Sequence, residues 1–560
     1  MILGINHLIG QDIFQSIHHM IKDVFKKIVN TLLLPFREHF MLFLVLSLLT
    51  AFAHCVGYFT TVNFLTFSSF VAIIMHCISL SYIATLLISL IRKKVIRRIV
   101  LAIILIYVVI DFIVNFYCAF YLHLLFDNDV ALLIKETDPS EAGEFFSSLV
   151  PAWIVLTITG VFALIILTWW FMKKRNLKFN LGKKASVLAL GIVAICMMGN
   201  LRVWEVWEFG PFSPIHTFAQ NDNPSDLRLY YTHPQLQFDE NQELPTNIVL
   251  IIGESFGRSH SSIYGYEKMT NPLLTKLKDD QLLFYFDSIY SPASQTAKSL
   301  RYMLSTYDLP DEGKDKKWFE YISLIELMDE CGFDCYWFGN QGRVGDHNGP
   351  TRAYAQACDH QWFLQKDNIL DQSDVVLVDS TSQYVSQISH KNHNFIVYHM
   401  KGSHFDYSKR YPPEFARFTV NDYPSDPENH RLVLSSYDNS ILYNDYIVNQ
   451  LMAFFKDTES IIIYLSDHGQ VMYRNSKDPD YYAHGRKEDP VDYACGTEIP
   501  FFIYASPLYQ QKHPEIMERI KYRQDHPENW NSDDLPYFIL DLIGVKEINH
   551  EDIRSKSVLN

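Results

Sequence analysis

The first 200 residues and the rest of the chain follow different hydropathy rules. Early on, apolar residues come in blocks of bilayer length: Phe40 to Phe59, Phe64 to Ile91, Ile99 to Phe120, Ala152 to Met172 and Ala185 to Leu201. A helix rises about 1.5 Å per residue and the hydrocarbon core is about 30 Å thick, so each block predicts a membrane-spanning helix, the last the shortest. One such block alone also suits a buried core helix, but five in succession do not. Ahead of them, residues 1–38 interleave Phe14, Ile17, Met20, Ile21, Val24 and Phe25 with Lys22, Lys26 and Lys27. That spacing suits an amphipathic helix lying in the membrane interface and equally a plain soluble helix, and the interleaving argues against a signal peptide.

Charge then orients the five-span domain, residues 39–202. Arg92, Lys93, Lys94, Arg97 and Arg98 fill the second connection, and Lys173, Lys174, Arg175, Lys178, Lys183 and Lys184 fill the fourth. The third connection instead carries Asp127, Asp129, Glu136, Asp138, Glu141 and Glu144. Basic connections stay in the cytoplasm, so an odd number of spans delivers everything after Arg202 to the outer face.

Residues 203–246 read as a linker that hugs the membrane. Pro211, Pro214, Pro224, Pro234 and Pro245 limit regular structure, while Trp204, Trp207, Tyr230 and Tyr231 suit the headgroup level. From Asn247 the pattern changes again. Asn247 to Ile252, Phe395 to Tyr398 and Ile461 to Leu465 are almost wholly apolar runs rich in β-branched and aromatic residues, the pattern of buried parallel strands. Helical stretches at Tyr321 to Glu330 and Ser436 to Phe455 lie between them, and Asp534 to Val545 reads as a last helix. The alternation predicts an α/β domain over 247–560 with a mostly parallel sheet, whose ligands gather beyond the carboxyl ends of the strands.

Composition narrows the function. The formal net charge of -15 over 560 residues, with no Arg/Lys stripe to offset it, argues against a nucleic-acid partner. Candidate chemistry sits where the strands end: Glu254 after the first run, His399 and His404 after the second, Asp467 and His468 after the third, with His484 beside a glycine further on. Adjacent Asp and His at a strand end can turn oxygen and nitrogen ligands toward one ion. Each residue also has an ordinary reading, as a cap, an ion-pair partner or one of 22 histidines.

The stretches GESFGRSHSSIYGYEKMTNPLL, SPASQTAKSLRYMLS, HMKGSHFDYSKRYP, SDHGQ and YYAHG resemble the membrane-bound phosphoethanolamine transferases of Gram-negative bacteria, in the alkaline phosphatase and sulfatase superfamily. The resemblance covers almost the whole chain and implies five spans in the inner membrane followed by a periplasmic catalytic domain. It implies a Zn2+ site made of Glu254, Thr296, Asp467 and His468, with Thr296 also the nucleophile. It places His404 and His484 beside the transferred phosphoryl group, as contacts or as ligands of a second metal, and His399 nearby in a less defined role. Thr137 and Glu141 match polar positions of the loop that receives the ethanolamine headgroup.

The implied donor is phosphatidylethanolamine, and the implied acceptor a glycolipid or glycan such as lipopolysaccharide core or lipid A, handled by a monomer among membrane lipids. Two departures bear on the acceptor. Leu133 stands where lipid A modifying members carry asparagine, and Gln295 to Met303 holds no cysteine where those members have a disulfide. Together with Trp337 to Gly342, the missing staple leans toward the branch that modifies core sugars. Cys331 and Cys335 form either a bridge or a buried apolar pair. A glycerol-phosphate transferase resembling lipoteichoic acid synthase and a non-enzymatic membrane scaffold are the alternatives. The nucleophile region lacks the Cys/Ser-x-Pro-x-Arg pattern of a working sulfatase.

Overall fold

Where the sequence offers apolar blocks the chain forms long helices, and where it offers short β-branched runs it forms a sheet. The structure is a computed structural model that describes residues 18–60, 67–122, 150–175, 179–200, 223–239, 243–311, 316–341, 349–364, 373–385, 393–473, 479–487 and 489–560, with single positions at 126, 130, 131, 134, 143 and 388. It falls into two units, Met1–Leu132 with Val150–Gln220, and Leu133–Leu149 with Asn221–Asn560.

In the first unit helices run over Phe40–Thr60, Phe67–Leu90, Lys94–Tyr117, Ala152–Lys174 and Lys183–Asn200. Among the described residues, three stretches are long and apolar enough to cross a membrane: Phe70–Leu90, Lys94–Tyr121 and Ala152–Lys174. The Phe40–Thr60 helix contributes a shorter apolar stretch, Phe40–Val56, and the fifth helix opens on Lys183 and Lys184. The Ala152–Lys174 helix buries only Ile154 and exposes Leu156, Leu164, Leu167, Trp169 and Trp170. A helix apolar on every face and bare of protein cover belongs in lipid. At its basic end Lys173 and Lys174 lie 5.0 and 4.8 Å over the rings of Trp169 and Trp170, an interfacial anchor. Between the first and third helices His54 Nε2 meets Asp111 Oδ2 at 3.1 Å, and Asn115 Nδ2 donates to Asp111 Oδ1 at 3.1 Å. Buried in an apolar bundle, these polar groups satisfy one another and tie the two helices. Residues 18–32 are helical and expose Met20, Ile21, Val24, Phe25 and Ile28 as one stripe.

The second unit is built on a seven-stranded sheet. Its strands are β2 (Asn247–Gly253), β3 (Leu283–Phe286), β5 (Phe333–Gly339), β6 (His360–Phe363), β7 (His393–His399), β8 (Ser460–Ser466) and β9 (Phe501–Ala505); the short strands β1 (Leu236–Phe238) and β4 (Ile289–Tyr290) lie outside it. The order is β3-β9-β8-β2-β7-β5-β6. Pairings from β8 through β2, β7 and β5 to β6 are parallel, while β9 runs antiparallel to both β8 and β3, so the sheet is mixed. Alternation along β2 explains its burial. Ile248, Leu250 and Ile252 enter one core with Leu327, Met328 and Phe538, whereas Val249 and Ile251 enter the other with Leu434, Ile441 and Leu451 of the long Glu428–Ala453 helix. Each such side chain withdrawn from water stabilises the fold by roughly 1.5 to 3 kcal/mol before entropy is counted.

Two stretches differ from expectation. Of the proline-rich linker, the described part packs onto the rest of the second unit: Leu227 is buried, Arg228 donates to Ala357 O and Cys358 O, and β1 pairs with Val545–Ile548. Proline restricts backbone bonding but not anchoring by side chains. The last helix, Leu535–Leu542, stops before Val545 because Gly544, at φ 76°, turns the chain into that edge strand. Trp204, Trp207, Pro211 and Pro214 lie outside the described residues. None of the eight cysteines is in a disulfide; Cys331, Cys335 and Cys358 are buried in one apolar core, where burial pushes the Cys331 thiol up to about 12.

Candidate active site

β7, β2 and β8 are adjacent and parallel, so their carboxyl ends bring His399, Glu254 and Asp467-His468 to one edge. Glu254, Asp467 and His468 are fully buried, and a ligand atom from each lies within 4.8 Å of the others. His468 Nε2 is 3.4 Å from Glu254 Oε1 and 3.5 Å from Asp467 Oδ2. Its Nδ1 donates to Gly469 O at 2.7 Å, which turns Nε2 toward the carboxylates, the arrangement a metal-binding imidazole needs. Asp467 Oδ1 accepts from Ser255 N and His468 N, at 3.1 and 2.7 Å. Its Oδ2 is buried without a hydrogen-bond partner among the described residues. A buried carboxylate oxygen is not left unpaired without cause, and this one points at the imidazole and the other carboxylate, where a cation satisfies all three.

Thr296 is the first residue of the helix Thr296–Met303. Its Oγ1 lies 3.1 Å from Glu254 Oε2 and 3.5 Å from His468 Nε2. Ser291 fixes the approach to that helix, donating to Asp467 O at 2.5 Å. Thus the threonine is half-buried on the rim of the carboxylate-imidazole set, at a helix N-terminus whose backbone N–H groups favour an anion.

The electrostatics follow from burying two carboxyls and an imidazole side by side. Burial opposes ionisation of Glu254, but the hydrogen bond and charge of His468 hold its carboxyl well below the usual range. Burial, and then the Glu254 carboxylate, push Asp467 up to about 7. In His468 burial is outweighed by the two carboxylates, which raise it to about 9.

The remaining histidines differ from one another. The His484 ring stands edge-on to His468 at 4.9 Å, and burial followed by the charge of His468 lowers it to about 3, a neutral imidazole at the site. His404 is half-buried with Nδ1 2.9 Å from Phe405 O, which makes that nitrogen the donor. His399 is fully buried one layer down, edge-on to Trp337 at 5.9 Å, with both ring nitrogens unpartnered among the described residues. It is outside the three-residue ligand cluster. Thr137 and Glu141 fall outside the described residues.

Three positioning groups escape sequence reasoning. Gln341 Nε2 donates to Glu254 Oε2 at 3.3 Å and to Met400 O at 2.7 Å. Asp374 accepts from Lys401 N and Gly402 N, both at 2.8 Å, holding the turn that leads to His404. That turn needs Gly402, at φ 48°, because a Cβ there would sit 2.9 Å from Glu254 N and O. Tyr437 Oη donates to Ser255 O at 2.7 Å and accepts from Gly257 N at 2.9 Å, clamping Ser255, whose φ is 53°. A lone Asp, Gln or Tyr far away in sequence carries no spacing signal. Only its neighbours in the fold mark it.

Residues 246–545, over half of the chain, match the family model described as Sulfatase. The chain belongs to the sulfatase family. The stretch around Thr296 lacks the Cys/Ser-x-Pro-x-Arg pattern of a working sulfatase. The chain is 28% identical over 325 residues to phosphoethanolamine transferase EptC of Escherichia coli strain K12, covering 57% of this chain and 54% of that protein. It therefore spans about half the length of that relative. Against phosphoethanolamine transferase EptA of the same strain it is 24% identical over 463 residues, covering 76% and 79%. The crystal structure of the periplasmic domain of Escherichia coli EptC in complex with Zn superposes with a TM-score of 0.52 at 25% identity, covering 58% of this chain and 90% of that one. The integral membrane lipooligosaccharide transferase EptA from Neisseria meningitidis gives 0.61 at 19% identity, covering 90% and 95%. Similarity and fold place the chain in the branch of the alkaline phosphatase and sulfatase superfamily that holds these proteins, as a membrane-anchoring helical unit joined to an α/β catalytic unit.

The proton load has a measurable consequence. Zinc must displace protons from Asp467 and His468, so its affinity is expected to rise from pH 6 to pH 9, about tenfold per pH unit for each proton released. Competition against a chromophoric chelator at pH 6, 7 and 8 measures this. A flat profile contradicts the assignment of these two residues as ligands.

Proposed function

We propose that this protein transfers phosphoethanolamine from phosphatidylethanolamine to an envelope acceptor, lipopolysaccharide core or lipid A, by way of a phosphoethanolamine-threonine intermediate on Thr296. The observation that carries the reading is Thr296 Oγ1 at 3.1 Å from Glu254 and 3.5 Å from His468, on the rim of a buried ligand set. Glu254, Asp467 and His468 fit Zn2+, with Thr296 as the fourth ligand. When bound, zinc supplies positive charge that favours the threonine alkoxide and offsets the charge of the phosphate.

In the first half-reaction Thr296 gives up its hydroxyl proton, the Thr296 Oγ1–P bond forms as the bond from phosphorus to the diacylglycerol oxygen breaks, and that oxygen leaves as a hydroxyl, its proton balancing the one Thr296 released. In the second, an acceptor oxygen attacks phosphorus, loses its proton and restores the Thr296 hydroxyl. The helix N-terminus at Thr296 faces the phosphoryl oxygens in both. His404 and His484 contact the same oxygens or hold a second metal, and one of them assists charge stabilisation or proton transfer. His399 supports the site from beneath, and Thr137 with Glu141 receives the ethanolamine ammonium.

The same reading sets the topology: five spans over 39–202 in the inner membrane, residues 1–38 in its cytoplasmic interface, a linker over 203–246 that keeps the outer domain near the outer leaflet while its residues 227–238 pack on that domain, and residues 247–560 as a monomeric catalytic domain in the periplasm. The exposed stripe of helix 18–32 and the lysine-tryptophan pairs at Lys173 and Lys174 support it.

Mass spectrometry of envelope glycolipids from cells expressing the wild-type or the Thr296→Ala protein tests the proposal. A phosphoethanolamine-sized mass increase on core or lipid A species, present only with wild type, is the expected result. A glycerol-phosphate increment, or no difference, refutes it.

A further inference from the structure

The described residues of the loop that carries His484 have little secondary structure of their own. Among them one bridge is formed, with Val471 N donating to Ala483 O at 3.0 Å. What fixes its shape is a set of side chains centred on Arg486. That guanidinium is buried and lies 3.8 Å from the centre of the Tyr481 ring. Its Nε donates to Asp492 Oδ2 at 2.6 Å, and Nη2 makes a second, shorter bond to the same oxygen. Asp492 is itself fully buried in the first turn of the helix Pro490–Thr497.

The contacts converge on two peptide groups. Tyr481 Oη donates to His484 O at 2.7 Å, and Ser294 Oγ, two residues before the threonine, donates to Gly485 O at 2.9 Å. Gly485 in turn packs so closely on the Pro490–Thr497 helix that a Cβ there would lie 2.7 Å from Asp492 O. The carbonyls of residues 484 and 485 follow the Cα of His484, so these two bonds fix the backbone on the C-terminal side of the ring. Both are held by side chains that belong to none of the metal ligands.

We propose that Arg486 is a positioning residue: stacked on Tyr481 and anchored by Asp492, it sets the orientation of His484 toward the transferred phosphoryl group. The inference rests on the reading of His484 given above. Arginine is required because one planar group must both stack on an aromatic face and pair with a carboxylate. A lysine ammonium keeps the charge but loses the plane. Small errors in such an orientation are costly to rate, since a displacement of about 1 Å can lower turnover by roughly 100-fold.

The test compares Arg486→Lys, Tyr481→Phe, His484→Ala and the double variants with His484→Ala, in full-length protein in detergent with phosphatidylethanolamine as donor. Arg486→Lys is expected to lower kcat about 10-fold with KM and zinc content unchanged. Tyr481→Phe removes only the hydroxyl that reaches His484 O, keeps the ring, and is expected to act in the same direction; it decides the matter if Arg486→Lys fails to fold. The distinguishing readout is non-additivity: on a His484→Ala background both substitutions should have no further effect. Full additivity overturns the inference, as does a zinc deficit that accounts for the lost rate. A slow His484→Ala enzyme beside wild-type rates for both positioning variants overturns the inference alone. A wild-type rate for His484→Ala removes the reading of His484 and the inference with it.

Discussion

Replacing Thr296 with alanine is expected to abolish the covalent intermediate and to lower transfer by about 10^4-fold or more, the scale on which enzymes respond to loss of a nucleophile. Among the described residues, the neighbouring serine hydroxyls are already engaged. Ser294 Oγ is committed to Gly485 O and Ser291 Oγ to Asp467 O, while Ser299 Oγ donates to Ala293 O on the far side of the turn. Ser255 Oγ donates to Glu254 Oε1 at 2.7 Å and sits behind the carboxylate. The other ligand atoms remain, so Thr296→Ala should still bind zinc, more weakly. Thr296→Ser should retain a part of the activity because the hydroxyl stays on the helix N-terminus. Intact-protein mass spectrometry after incubation with phosphatidylethanolamine checks this: an adduct on wild type and serine variants, none on alanine. An adduct on the alanine variant would falsify the assignment of the nucleophile.

The sequence made the scaffold of this site readable for a simple reason. A strand buried on both faces must be apolar at every position, so Asn247 to Ile252 and Ile461 to Leu465 announce themselves, and the polar residues that follow must lie at the sheet edge. Glu254, Asp467 and His468 were legible on that argument before any distance was known. Thr296 was not, because it follows a turn and starts an eight-residue helix; only its match to a family motif singled it out. The antiparallel course of β9 was also hidden. Phe501–Ala505 is fully buried like its neighbours, and direction leaves no mark on burial. Gln341, Asp374 and Tyr437 act across 87, 27 or 28, and 182 positions of chain. Each was one polar residue among many until the fold set it against Glu254, the His404 turn or Ser255.

Asp467 should show that the site is arranged for a metal at the expense of the metal-free fold. Without a cation, burial and the neighbouring Glu254 carboxylate push its pKa up to about 7, above the ordinary range. A carboxyl raised in the folded state favours folding while protonated. Stability of metal-free wild type is therefore expected to decline as pH rises from about 4 to about 7, by a few kcal/mol in order of magnitude. Asp467→Asn keeps an oxygen to accept from Ser255 N and His468 N but cannot ionise. In chelator at pH 8 it should unfold at a temperature equal to or above that of wild type. With zinc present the order should reverse. Wild type gains stability in proportion to the logarithm of metal over dissociation constant, while the variant loses a ligand and binds more than about 100-fold more weakly, beyond the range for disturbing a residue behind one. Thermal unfolding of both proteins at pH 6 and pH 8, with chelator and with zinc, measures all four quantities. If Asp467→Asn were less stable than wild type in chelator at pH 8, the carboxyl would be holding the fold together, and its place as a metal ligand would need another explanation.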